Sequence, residues 1–216
     1  MKDGTLLQNW YQKIGIEATQ RWKWTAVVLT IFYLVGIVGI LGKLHPDFIL
    51  LTPFNLLLSL FLMLAHHENW SRGFWLWLGI TFLVGFFAEV LGVNYGLIFG
   101  SYSYGPVLGW KVFKTPLLIG VNWIILSYGS AVLTQELLPR VQFWWQAIVA
   151  ALLMVLLDLL IEPVAIQYDF WQWEGNQIPL QNYLGWFFVA LLLQLLWFRQ
   201  LRGTENKVGL VLFILQ

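Results

Sequence analysis

Residues 143–162 read FWWQAIVAALLMVLLDLLIE. Helical residues rise 1.5 Å each, so a run of this length crosses the roughly 30 Å hydrocarbon core of a bilayer. Its only charges, Asp158 and Glu162, stand near its far end. Working outward, five more runs of this kind appear: Thr25 to Leu44, Phe48 to Ala65, Phe74 to Val93, Pro116 to Thr134 and Tyr183 to Phe198. The composition agrees. Of 216 residues 59% are hydrophobic and 11% charged, against about 25% charged in an ordinary soluble domain, and so little charge cannot cover a water-exposed surface. The expected fold is an all-α integral membrane protein, a bundle of six transmembrane helices forming one polytopic domain over residues 1–216. Residues 1–24 precede the first span, 25–198 hold the six, and 199–216 form a tail. Its apolar end, Val208 to Gln216, is either a half-span or the start of a seventh helix.

The loop cations set the orientation. Lys2, Lys13, Arg21, Lys23, Arg72, Arg140, Arg199, Arg202 and Lys207 fall on one side, and Lys43, Lys111 and Lys114 on the other. The positive-inside rule then puts the N-terminus in the cytoplasm, with the protein in the plasma membrane. The long loops Asn94–Thr115 and Pro163–Asn182 share the outer side. The first 24 residues lack the apolar core of a signal peptide; Leu6, Leu7, Trp10, Tyr11 and Ile14 suit a helix lying on the membrane surface or a disordered tail. Trp10, Trp22, Trp24, Trp70, Trp75, Trp144, Trp145 and Trp197 sit near span ends, as anchors of an aromatic belt do. The absence of cysteine excludes disulfides, thiolate metal sites and cysteine nucleophiles. A net charge of +1 gives no reason to expect nucleic acid as a partner.

Glu89, Asp158 and Glu162 lie inside apolar runs that contain no Lys or Arg. A carboxylate at such depth costs ~2.5–3.5 kcal/mol on insertion scales, which makes each one a functional candidate. Glu89, Asp158 and Asn122 fall at one level, in the outer third of the bilayer, while Asp158 and Glu162, four apart, share a helix face. There is also an internal repeat. Glu89 is followed at +10, +13 and +15 by Phe99, Tyr102 and Tyr104, and Asp158 at the same offsets by Tyr168, Trp171 and Trp173. Each half then reaches Pro-Leu, at Pro116 and Pro179, with Trp123 and Trp186 seven residues beyond. Repeats of this sort place a site at their interface. Gly92, Gly96 and Gly100 suit close helix packing, but Tyr95–Tyr104 reads better as an irregular, re-entrant Gly- and aromatic-rich loop on the outer side, lining a cavity. His66, His67 and Glu68 imitate a metal cluster. Adjacent side chains point to different faces of a helix, so interfacial polar residues are the better reading.

Glu89, Gly92, Gly96, Phe99, Gly100, Tyr102, Tyr104 and Gly105, then Pro116-Leu117 with Asn122-Trp123, then Asp158, Glu162-Pro163, Phe170-Trp171, Trp173, Ile178-Pro179, Asn182 and Gly185-Trp186 together resemble the membrane-bound carotenoid hydratase family. That family is of the carotenoid 1,2-hydratase type, a group of hydro-lyases. The resemblance implies addition of water to the terminal double bond of a carotenoid such as γ-carotene, lycopene or bisanhydrobacterioruberin, with the bilayer as surroundings. The sequence leaves open which carotenoid is used and whether the chain forms a homo-oligomer.

Hydrating a trisubstituted alkene is acid chemistry: a proton goes to the less substituted carbon and water captures the tertiary cation. It needs no metal, nicotinamide or flavin, so no cofactor is expected. A carboxyl in an apolar setting can serve as the acid, and a second can orient water and take the proton back. Asp158 is the expected acid and Glu89 its partner, with Glu162 and Asn122 positioning water. Tyr102, Tyr104, Trp171 and Trp173 can face a cation with their rings, and Trp123, Asn182 and Trp186 complete the substrate-binding candidates. A carotenoid end-group cyclase would use the same protonation but add no water. A transporter or non-catalytic membrane subunit would use paired carboxylates for proton coupling, yet the sequence shows no polar track toward the cytoplasmic side, and Gln194 is the lone polar candidate in the sixth span.

Overall fold

The computed structural model describes residues 20–216, so the N-terminal segment holding Leu6, Leu7, Trp10, Tyr11 and Ile14 lies outside the described residues. Six helices are long and apolar enough to cross a membrane, which makes this an all-α membrane bundle. They are α1 (Arg21–Leu41), α2 (Thr52–Ala65, entered through a 3₁₀ turn over Pro46–Leu51), α3 (Arg72–Tyr95), α4 (Leu118–Leu137), α5 (Phe143–Gln167) and α6 (Leu180–Gln200). The tail forms a further helix, α7 (Lys207–Leu215), which at 1.5 Å per residue is about 13 Å long and too short to cross. It packs against α4 and α1 with Val208, Gly209, Leu212 and Phe213 buried.

Local chemistry explains three of the boundaries. Ser71 caps α3 by accepting from the Phe74 amide at 3.2 Å, and Gly96 ends it in the left-handed conformation a helix C-cap favours. Asn206 caps α7 through the Gly209 amide. One expectation needs correction: α5 does not stop at Glu162. It runs through Pro163 to Gln167, and its last turn is closed by Tyr168 N on Val164 O and Phe170 N on Ala165 O.

The centre of the bundle is α4, which packs on α2, α3, α5, α6 and α7. It carries Gly120, Ser127, Gly129, Ser130 and Thr134, all buried. Small and weakly polar side chains suit a helix that faces protein rather than lipid, because they let neighbouring backbones approach. The joints are reciprocal. A Cβ on Gly85 of α3 would overlap the Trp123 ring of α4, and one on Gly120 of α4 would overlap the Phe82 ring of α3. On the other face, Gly129 of α4 receives Phe213, and Gly209 of α7 receives the Tyr128 ring.

Between the spans two short ladders form. Strand β1 (Tyr102–Tyr104) pairs antiparallel with β4 (Trp171–Trp173), Tyr102 opposite Trp173 and Tyr104 opposite Trp171. A hairpin joins β2 (Lys111–Val112) to β3 (Thr115–Pro116). Its two-residue turn places Phe113 and Lys114 at positive φ, as a type I′ turn requires. Twelve positions separate Tyr104 from Pro116 and six separate Trp173 from Pro179, and the hairpin occupies the longer of these stretches.

Candidate active site

All eleven candidate residues line one cavity: Glu89, Tyr102, Tyr104, Asn122, Trp123, Asp158, Glu162, Trp171, Trp173, Asn182 and Trp186. Four helices and one ladder supply them. Glu89 comes from α3, Asn122 and Trp123 from α4, Asp158 and Glu162 from α5, and Asn182 and Trp186 from α6. The β1–β4 ladder lies across the end of the bundle that holds the acids. The register that brings it together is the symmetric one: the aromatics at +13 and +15 from Glu89 cross those at +13 and +15 from Asp158. Two lining residues, Phe99 and Ile119, were not among the candidates. Phe99 was visible as the +10 position of the repeat, whereas nothing in the sequence marks Ile119.

The three acids are 4%, 3% and 1% exposed, for Glu89, Asp158 and Glu162 in turn, and the lining holds no Lys or Arg. Neutral donors serve them instead. Glu89 accepts from the hydroxyls of Tyr102 and Tyr104, the latter at 2.7 Å, and from Trp123 Nε1 at 3.1 Å. Glu162 accepts from Trp173 Nε1 at 2.9 Å, Trp171 Nε1 at 3.0 Å and the Asn182 amide at 3.4 Å. So the β4 aromatics reach Glu162 rather than Asp158, the acid from which the repeat counts them. Asp158 accepts from the Asn182 amide alone, at 2.8 Å. Burial first, and then the neighbouring Glu89, push the Tyr102 and Tyr104 phenols upward from their ordinary range, which keeps both hydroxyls protonated as donors. The donors also set geometry. Gly85 seats the Trp123 ring, and Glu89, one turn further along α3, receives its N–H. Trp123 stacks on Trp186, centroids 4.3 Å apart at 18°.

The cavity holds about 30 Å³, enough for about one or two waters. Among the described residues nothing bonds the Asn122 amide, which leaves it free to hold such a water. The arrangement thus offers three acids with unequal donor supply, a space for water and facing aromatic rings.

At the other end of the bundle the structure corrects two expectations. His67 is buried, not interfacial. Its Nε2 donates to the Asn69 carbonyl at 2.8 Å, which leaves Nδ1 to accept from the Tyr128 hydroxyl at 2.9 Å. Asn206 donates to that same Tyr128 oxygen and to the Met63 carbonyl, both at 2.9 Å. The His67 ring stacks on Phe74 at 3.7 Å, and burial lowers its pKa from 6.5, so it is a neutral joint between the α2–α3 turn, α4 and α7. His66 bonds elsewhere, to the Leu62 carbonyl, and Glu68 is exposed. Among the described residues no three His, Asp or Glu form a group that could hold a metal ion. Trp197, expected in the aromatic belt, is fully buried against Trp77 and Tyr128, where the packing of three large rings takes it out of contact with lipid. Trp24, Trp70, Trp75, Trp144 and Trp145 are exposed as expected.

Fold and site together define a multi-pass membrane protein with a buried carboxylate pocket served by neutral donors. The chain belongs to the carotenoid biosynthesis protein family, whose model matches residues 48–215, and the motifs from Glu89 to Trp186 fall inside that match. A bisanhydrobacterioruberin hydratase of Haloarcula japonica is 28% identical over 183 residues, covering 74% of this chain and 59% of that protein. The chain therefore spans about three fifths of the length of this curated relative. No solved structure matches.

Proposed function

We propose that this chain hydrates the terminal carbon–carbon double bond of an acyclic carotenoid end. The observation that carries the reading is the unequal donor supply around a water-sized cavity. Glu89 and Glu162 each accept three hydrogen bonds, the pattern of an acceptor-only carboxylate. Asp158, with one, is the group suited to carry a proton. It delivers that proton to the less substituted alkene carbon; the π pair forms the new C–H bond and leaves a tertiary cation. A water held by Asn122 and the carboxylates captures the cation through oxygen and gives up a proton to Glu89. The proton count then closes across the cluster: one alkene and one water become one tertiary alcohol. The rings of Trp123, Trp186 and Tyr102 stabilise the cation by about 0.5–2 kcal/mol each when desolvated. The name of the Haloarcula relative supports the reaction class.

The acidic cluster sits at the end of the bundle where α3 and α5 finish and α4 and α6 begin. With the cation-rich side in the cytoplasm of a plasma-membrane protein, the pocket opens toward the outer leaflet. A reporter near Gly175 then reads external and one after Arg202 reads cytoplasmic. The direct test of function is expression in cells that accumulate lycopene or γ-carotene, followed by mass analysis of the pigments. Gain of one water is the expected result. An isomer of unchanged mass would point to cyclisation, and unaltered pigment would overturn the assignment.

A further inference from the structure

As it stands the carboxylate cavity has room for water alone, so the terminal unit of the substrate can enter it only by displacing part of its wall, and the rest of the organic chain must bind somewhere that reaches that wall. Beside the cavity runs an apolar groove of about 540 Å³, lined by Ile98, Leu180, Leu184, Gly185, Phe188 and Leu192, with Gln181 at its edge. Its volume lies within the roughly 300–1,000 Å³ range of small-molecule sites. The two spaces share one wall. Ile98 faces the groove while the next residue, Phe99, faces the cavity; on α6, Leu184 and Gly185 face the groove while Asn182 and Trp186 face the cavity. The wall is thin because Gly185 has no side chain, and a Cβ there would run into the Ile98 carbonyl. It is also strained backbone. Ile98 has φ +67°, a left-handed conformation that a β-branched residue rarely adopts, and the Gln181 amide holds the segment to α6 through the Gly96 carbonyl at 3.2 Å.

We infer that this groove binds the polyene chain of the substrate, laid along α6, and that its terminal unit enters the acid cavity through the Ile98–Phe99 wall. The inference rests on the hydratase reading and adds to it where the long hydrocarbon sits. The occupant is an extended hydrocarbon because the lining carries no charge and one amide. It is the substrate, rather than a bilayer acyl chain, because the groove ends against the wall of the acid pocket.

The test uses the full chain in phosphatidylcholine vesicles, with Leu184→Trp to obstruct the groove. Leu184 is about half exposed, so the substitution falls on an outward surface. Leu152→Trp, on the exposed face of α5, is the control of equal size. Two substrates are compared: lycopene, and a two-isoprene-unit hydrocarbon with the same dimethyl alkene end. Leu184→Trp should raise KM for lycopene at least about tenfold with kcat unchanged, the mark of lost uniform binding, and leave the short hydrocarbon and the control unaffected. The second readout needs no turnover: bound lycopene should show induced circular dichroism in its visible band, lost in Leu184→Trp and kept in Asp158→Asn. Lycopene that binds this way without gaining water would leave the groove standing and remove the hydratase reading. Hydration and dichroism unmoved by Leu184→Trp would remove the groove and leave the hydratase. No induced band with wild-type protein, as expected of a groove filled by acyl chains, would overturn the inference whether or not water is added.

Discussion

Buried polarity gathers at both ends of the bundle, and the two ends are built differently. At one end His67, Tyr128 and Asn206 form a closed chain. Each of the bonded donors has one acceptor of matching type, from the Asn206 amide through the Tyr128 hydroxyl to the His67 ring and the Asn69 carbonyl. Nothing in it is charged. At the other end three acids share donors unequally around a cavity with no cation in its lining. A buried network whose members are all satisfied rigidifies a fold, whereas a partly satisfied one is costly unless it is used. The His67 cluster holds helices together, and the acid cluster has acceptor capacity to spare.

The largest expected effect tests the acid end. Asparagine keeps the shape of Asp158 but cannot deliver a proton, so Asp158→Asn should lower hydration by ~10²-fold or more in a folded protein. Glu89→Gln should cost less, since it removes the water's proton acceptor but not the acid. Near-normal turnover in folded Asp158→Asn would move the acid role to Glu89. The next effect should appear at the His67 end and in the opposite observable. Tyr128→Phe strands the His67 ring nitrogen and one Asn206 donor in the core. It should destabilise the protein by about 1–3 kcal/mol in unfolding measurements, with turnover per folded molecule retained. If turnover falls while stability holds, the division between the ends is wrong. The smallest effect is in pH. Burial lowers the His67 pKa from 6.5, so below that value the unfolded chain takes up a proton that the folded protein does not. Stability is therefore complete above about pH 6.5 and declines as the pH falls toward the folded-state pKa. His67→Phe should flatten that slope without touching the pH profile of hydration.

Those clusters also mark how far the sequence could be read. The six spans follow from hydropathy, and the three acids stand out because charge is rare in apolar runs. The aromatics at +13 and +15 could be seen because the two halves share their spacing. What escaped was which side chains pair. Periodicity says which face a residue takes but not which acid Trp171 and Trp173 reach, and α5 passing Pro163 is what brings Glu162 to them. The His67 joint depends on Tyr128 and Asn206, far along the chain, so His67 reads as one more polar residue at a helix end. The β2–β3 turn was hidden because Phe113-Lys114 carries none of the Asn-Gly chemistry that announces a type I′ hairpin.

The β1–β4 ladder has a consequence for how the chain is made. Its strands are separated by the whole of α4 and α5, so they cannot pair until both later helices have left the ribosome and entered the bilayer. Closing so long a loop is slow because its entropy is spent before any contact forms. The helices therefore assemble first and this ladder zips last. Until then each acid has only the donors that follow it closely in sequence, Tyr102 and Tyr104 for Glu89 and Trp171 and Trp173 for Glu162, and the two strands that carry them are not yet locked to each other. A nascent chain arrested in that interval would be a helical bundle whose acid pocket is not yet closed by the ladder, a species that membrane proteases could tell from the finished protein.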